Sequence, residues 1–401
     1  MAFQTANNIL VAIKRETVTG VAATATSAVR VRVTDSPGLA LTRAVVQSNE
    51  KRADGLKTMG RLGYKGVSGS YNAELSTGGA IDLLLEAIMR STWSTVTAIG
   101  FASVTTVTVG TNEVVAAAGD WVGGQGIRVG DIFTLTGYST ASANAINARV
   151  VAVTSLTISV PDGTFATAGA ADAAGTLTRL KKVTSATTPT RYSHSIEQYD
   201  QDIDLSELFL GCRVIGVRLS FRPGEMATAT FTFLGMDRTV LATGTSPYFD
   251  SPTLTTTLGL IADDSAIRMN GADIAKFTGF ELDFQITAQG VPVIGSLVTP
   301  DIFDNDCMVS GQVTGLREDF ANLTLYDAET EFEISILLEE PSGTPKECLS
   351  IFLPRVKISA LSAPAGGGDG AKVETLSLMV GPKAAATGYD GTIAMISSSA
   401  A

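Results

Sequence analysis

The chain has 401 residues, 45% hydrophobic and only 17% charged, with a net charge of −11. That balance excludes a non-specific nucleic-acid binder, which carries a basic patch, and no apolar run reaches the ~18 residues of a membrane-spanning helix. Three widely spaced cysteines (Cys212, Cys307, Cys348) fit reduced thiols. The N-terminus lacks a basic-then-apolar secretion signal. Residues 1–65 hold ten basic and four acidic side chains, so the remainder is strongly acidic. A basic end and an acidic body favour head-to-tail contacts between copies.

Strand signals dominate. Val29–Val33 alternates apolar and basic residues, the pattern of a half-buried strand. Gln47–Gly63 is a loop carrying Lys51, Arg52, Lys57 and Arg61. Its two readings are a solvated loop and a contact with an acidic partner. Ala80–Arg90 puts Ile81, Leu84, Leu85 and Ile88 on one stripe, predicting an amphipathic helix. Residues 95–182, rich in Ala, Gly, Thr and Val, read as an inserted β-rich domain displayed on the outside. Its expected strands are Ser103–Val109, Ile127–Thr136 and Ala148–Val160. Asp204 as cap, Glu207 and the closing Gly211 predict a short helix over Leu205–Leu210. Arg213–Gly235 predicts a hairpin turning at Arg222-Pro223-Gly224.

An internal repeat is visible. The Arg213–Gly235 unit recurs in form from Arg355 to Gly381, aligning Arg213 with Arg355. A second echo joins Gly66-Val67-Ser68-Gly69-Ser70 to Met308-Val309-Ser310-Gly311. The order is the same in both halves, which suggests two copies of one domain. The expected division is 1–94 with 183–245, the insert 95–182, and 246–401.

Chemical motifs are weak. Asp200, Asp202 and Asp204 match the first positions of a calcium loop, but Leu205 and Gly211 stand where a glycine and a glutamate are needed. They read instead as an acidic face, solvated or lumen-facing, along a strand. Asp301–Asp306 reads as an acidic loop. His194, the sole histidine, reads as a surface or core-edge residue, and Trp93 and Trp121 as packing at domain borders. Gly123–Gly130 lacks the following helix of a nucleotide site. No catalytic residue, cofactor or metal is predicted.

The segment Ser195–Gly235 and the block Gly60–Met89 resemble the major tail tube proteins of long-tailed, non-contractile bacteriophages (siphophages). The likeness covers about three quarters of the chain and excludes the insert. It implies a mainly β fold: tandem tail-tube β-sandwich or barrel domains, each with a flanking helix, plus the inserted domain. It implies a structural subunit, not an enzyme, in a virion tail assembled in the host cytoplasm. Rings of three pseudo-sixfold chains, or of six, would stack around a lumen conducting double-stranded DNA. The partners implied are further copies, a tape measure protein inside the tube, and tail terminator and distal tail proteins, with no membrane. The resemblance also makes the Gln47–Gly63 loop the ring-to-ring contact. The alternative is a virion-surface adhesion or decoration protein binding host glycans.

Overall fold

The computed structural model describes residues 3–185, 188–365, 370–385 and 388–399. The chain is mainly β, and seventeen strands pair antiparallel in one connected network. The N-terminal part runs β1 (Ile9–Arg15), β2 (Val29–Val31), β3 (Gly38–Val46), β4 (Arg61–Glu74) and helix α1 (Gly79–Met89). The insert follows as two four-stranded sheets. Its strands are β5 (Thr97–Gly100), β6 (Val107–Val109), β7 (Glu113–Ala116), β8 (Ile132–Thr136), β9 (Ala148–Arg149), β10 (Ala152–Val153), β11 (Thr157–Ser159) and β12 (Thr176–Arg179). The chain re-enters the body through β13 (Lys181–Thr184), β14 (His194–Asp200), β15 (Leu205–Phe221), β16 (Thr228–Gly235) and β17 (Asp237–Leu241). The C-terminal part has β18 (Ser265–Met269), β19 (Ala272–Asp273), β20 (Phe277–Gly290), β21 (Ile302–Leu316), helix α2 (Ala321–Asp327), β22 (Phe332–Gly343), β23 (Lys346–Ser362), β24 (Val373–Val380) and β25 (Met395–Ser398).

One pairing order occurs twice. The first run is β2–β1–β14–β15–β16–β4–β3. The second is β19–β18–β22–β23–β24–β21–β20. Bulges fall at matching places: after His194 and Phe332, after Val214 and Ile358, and after Arg43 and Ile286. In this register Ser68 matches Ser310 and Gly69 matches Gly311. Arg213 matches Lys357 rather than Arg355, because equal bulges must align. The two runs join where β15 pairs with β20.

The physical logic is two-layer packing. β15 and β23 are 17 residues each, and each changes partners along its length: β14 and β17 then β16 and β20 for β15, β22 and β25 then β24 for β23. Inward side chains of β4, β15 and β16, such as Tyr71, Val217 and Phe231, share one core with Ile81, Leu84, Leu85 and Ile88 of α1. The helix forms as the 3.6-residue stripe predicts and stops at Arg90, which turns left-handed at φ 51°. Burying each such aliphatic side chain stabilises by roughly 1.5–3 kcal/mol. The β15–β16 hairpin also forms as expected.

Three local expectations are corrected. Leu205–Leu210 is strand, the first part of β15, with β14 on one side and β17 on the other. Leu208 and Phe209 are adjacent yet enter different cores, so both faces are buried and the run carries no strand alternation. Gly211, at φ +64°, sits in a bulge rather than at a helix end. Trp121 is fully buried inside the insert's own core, not at a border. The acidic stretch from Asp301 lies largely on β21 rather than in a loop.

The insert is anchored rather than dangling. Phe352 and Met395 of the body complete its core. Lys182 bonds Asp131 and Asp390, each at 2.7 Å. Arg149 donates to Ser335.

Candidate assembly surfaces

Side chains alternate across a strand, so the face opposite the helix-covered core is fixed by the same registers. One cross-strand row on that face reads Glu74, Thr228, Ser220, Glu281, Gln312, Ser377 and Ala360. The next reads Asn72, Thr230, Arg218, Asp283, Ser310, Met379 and Lys357. All but Ala360 and Met379 are polar or charged. At its centre Glu281 accepts from Arg218 and, at 3.3 Å, from Arg222. The Arg218 guanidinium holds the Glu281 carboxyl below its ordinary range. The Arg218 and Arg222 charges are thereby tied up inside the chain.

The sheet behind this face runs β3–β4–β16–β15–β20–β21–β24–β23, and among the described residues its two outer edges have no strand partner: β3, which pairs only with β4, and the end of β23 beyond Val356, which pairs only with β24. An unpaired edge is a template for another strand. At Leu39 the edge is partly closed by the Gln198 amide. It accepts from the Leu39 N–H at 2.9 Å and donates to its carbonyl at 3.3 Å.

Two arms project between matching strands. The first, residues 47–60 between β3 and β4, holds Lys51, Arg52 and Lys57, and Arg61 begins β4. All four are exposed. Arg52 is paired within the arm, 2.7 Å from Asp54, whose carboxyl it holds below the ordinary range. Lys51, Lys57 and Arg61 have no ion pair among the described residues. The arm also exposes Leu56 and Met59, flanked by Val45, Val46 and Leu62. The second arm, residues 291–301 between β20 and β21, exposes Val291, Val293, Ile294 and Leu297. The second arm touches β4 beyond the first, where the Lys65 N–H donates to the Leu297 carbonyl at 2.8 Å. Sequence reading found the charged arm and missed the second, whose exposed side chains are apolar. The signal was its position relative to the echoed Val-Ser-Gly words.

The three aspartates do not form a stripe along one strand. Asp200 ends β14, while Asp202 and Asp204 lie in the turn to β15. Asp202 accepts from the Thr5 hydroxyl, from the Thr5 N–H at 2.8 Å and from Asn8, which hold its carboxyl down and pin the N-terminal segment. Asp204, at φ 51°, accepts from the Tyr199 hydroxyl at 3.1 Å.

His194 is neither at the surface nor at the core's edge; it is fully buried. Its place in the first run is that of Phe332 in the second. It faces Cys212, whose thiol burial holds well above its ordinary range, so thiolate is disfavoured. Burial, aided by the nearby Arg15 charge, pushes the imidazole down to about 3, against about 6.5 unfolded. The unfolded chain therefore takes up a proton first as pH falls. His194 stability is intact above about 6.5 and is lost between there and about 3, at up to about 1.4 kcal/mol per pH unit. His194→Phe should fit the Phe332-like site and flatten that dependence. Urea midpoints at pH 7 and pH 4.5 check this: the wild-type drop should exceed the variant's, and equal drops would refute it.

The described residues thus offer edges, a polar face and arms, the apparatus of self-association. A search of curated proteins finds no match. A scan against protein-family models matches residues 6–380, nearly the whole chain, to the family described as Phage tail tube protein. That family is one of structural phage tail components. The chain belongs to the phage tail tube protein family.

Proposed function

We propose that the chain is the tube subunit of a long-tailed, non-contractile phage, and that its two strand runs are copies of one tube domain. Three chains then supply six domains to a pseudo-sixfold ring, and rings stack around a lumen that conducts double-stranded DNA. The carrying observation is the repeated pairing order together with two unpaired edges, β3 and the end of β23, one at each end of the polar-faced sheet. The polar face supports the conduit reading. Each phosphate contact with a free Lys or Arg adds affinity through counterion release, and here Arg218 is already held by Glu281. A tape measure protein inside the tube, terminator and distal tail proteins at its ends, and assembly in the host cytoplasm complete the reading. Negative-stain microscopy of concentrated protein tests it. Open-lumen rings or fibres are expected; a discrete globule that binds cells would favour a virion-surface adhesin.

The arms are the proposed ring-to-ring contact, with an apolar share beside the charged one. Leu56→Ser with Met59→Ser should lower stacking affinity at least tenfold, since each buried aliphatic group is worth roughly 1.5–3 kcal/mol. Single rings should persist. Sedimentation of tubes against rings measures this. If Lys51→Glu with Arg52→Glu leaves stacking untouched, the basic residues have no part in the contact.

A further inference from the structure

The junction between the two runs is a template for the junction between two copies. Inside the chain, β15 lies on the edge of β20: Val217 opposes Phe284, and Arg218 opposes Asp283. Both Val217 and Phe284 are fully buried. Through the shared bulges, Val217 matches Leu361 of β23. Phe284 matches Leu41 of β3 in the same way. Leu361 and Leu41 lie on the two unpaired edges and are only half-buried, packed against the margin of the core. Each edge thus holds half of a pair that the internal junction shows complete.

We infer that β23 of one copy pairs antiparallel with β3 of the next in the register Leu361 to Leu41, Ser362 to Ala40 and Ala360 to Thr42. This rests on the ring reading above and specifies its contact. By the internal pattern, Leu41 and Leu361 point inward and complete the core. Ala40, Thr42, Ala360 and Ser362 continue the polar face. All four are exposed in the single chain. Backbone hydrogen bonding across the junction begins at Leu41, because the Gln198 amide already occupies the edge at Leu39.

A second observation agrees. Inside the chain, the turn of the β15–β16 hairpin rests on the segment just before β18. The Gly224 N–H donates to Asp263, and the Ala227 N–H donates to the Leu260 carbonyl at 2.8 Å. The corresponding segment, just before β1, borders an open cleft lined by Ala6, Asn7, Pro37, Gly38 and Leu254. The cleft lies at the start of β3, the end towards which β23 of the neighbouring copy would run in this register.

The test is oxidative cross-linking of full-length chain, with the same preparations imaged for assembly. Ala40→Cys with Ser362→Cys places two thiols directly opposite across the junction. Thr42→Cys with Ser362→Cys is displaced by two residues, to about 7–8 Å between Cα atoms, too far for a ready disulfide. Single variants control for Cys212, Cys307 and Cys348. The in-register pair should give a covalent ladder ending at three chains, at least tenfold more than the displaced pair or either single variant. Assembled tubes in which the displaced pair links better, or neither links, would overturn the register and leave the tube reading standing. Protein that never assembles would overturn both.

Discussion

Gly69→Ala is expected to cost about 3 kcal/mol or more and to weaken assembly further, whereas Gly311→Ala should cost only about 1 kcal/mol. The two glycines hold the same place in the two runs, yet their surroundings differ. A Cβ on Gly69 would lie 2.1 Å from the Gly38 carbonyl oxygen and 2.9 Å from the Leu39 Cα, at φ +153°. Both obstacles are backbone, and φ itself disfavours a side chain. On Gly311 the nearest atom is the Glu281 backbone carbonyl oxygen, but at 3.1 Å, so a shift of a few tenths of an ångström suffices. β3 has one strand partner, so it is the element that yields. Moving it disturbs the edge proposed to receive the next copy. Urea midpoints measure the stability difference and tube yield measures the assembly defect. A Gly311→Ala loss equal to or larger than that of Gly69→Ala would contradict this account of the junction.

These glycines also show what was legible in the sequence. The Val-Ser-Gly words recur because the same crossing of strands recurs, and residue order alone exposes them. The helix at 79–89 was legible because its stripe has a single period and one buried face. The hairpin was legible because a Pro-Gly turn separates two alternating runs. Leu205–Leu210 was not, because adjacent Leu208 and Phe209 serve different cores and leave no period of two. The repeat was visible but its alignment slipped by two residues, since a bulge changes spacing without leaving a characteristic residue type. The assembly surfaces were the least legible. The polar face emerges only when strands far apart in sequence are laid side by side. The edge leucines look like any half-buried strand residue until the fully buried Val217–Phe284 pair stands beside them.

Asp304→Ala is expected to cost about 3–5 kcal/mol, the range for breaking a buried ion pair by removing one partner. Asp304 is buried on β21 and gathers three guanidiniums: Arg191 at 2.7 Å, Arg213 at 3.0 Å and Arg90 at 3.6 Å. The three arginines differ in what they do when it is gone. Arg191 is about half exposed and turns to water. Arg90 keeps the Asn305 carbonyl at 2.7 Å. Arg213, with only 7% of its side chain exposed, keeps Asp301 at 2.7 Å and the Ile302 carbonyl but stays in the interior with less compensating charge. The lost stability therefore resides mainly in Arg213. Arg213→Met should accordingly rescue much of the Asp304→Ala loss, because it removes the charge and keeps apolar bulk where β15 and β21 approach. A double-mutant cycle on urea midpoints decides the matter: a coupling near zero would show that Arg213 is not the group left stranded. The match Lys357 gives an internal comparison, since it is half-buried and its acidic neighbours, Glu329 and Glu331, are both exposed. Lys357→Met should therefore change stability by less than about 1 kcal/mol. Matching positions in the two runs would then differ severalfold in cost, because the internal junction seals one of them and the other waits at the edge for a neighbour.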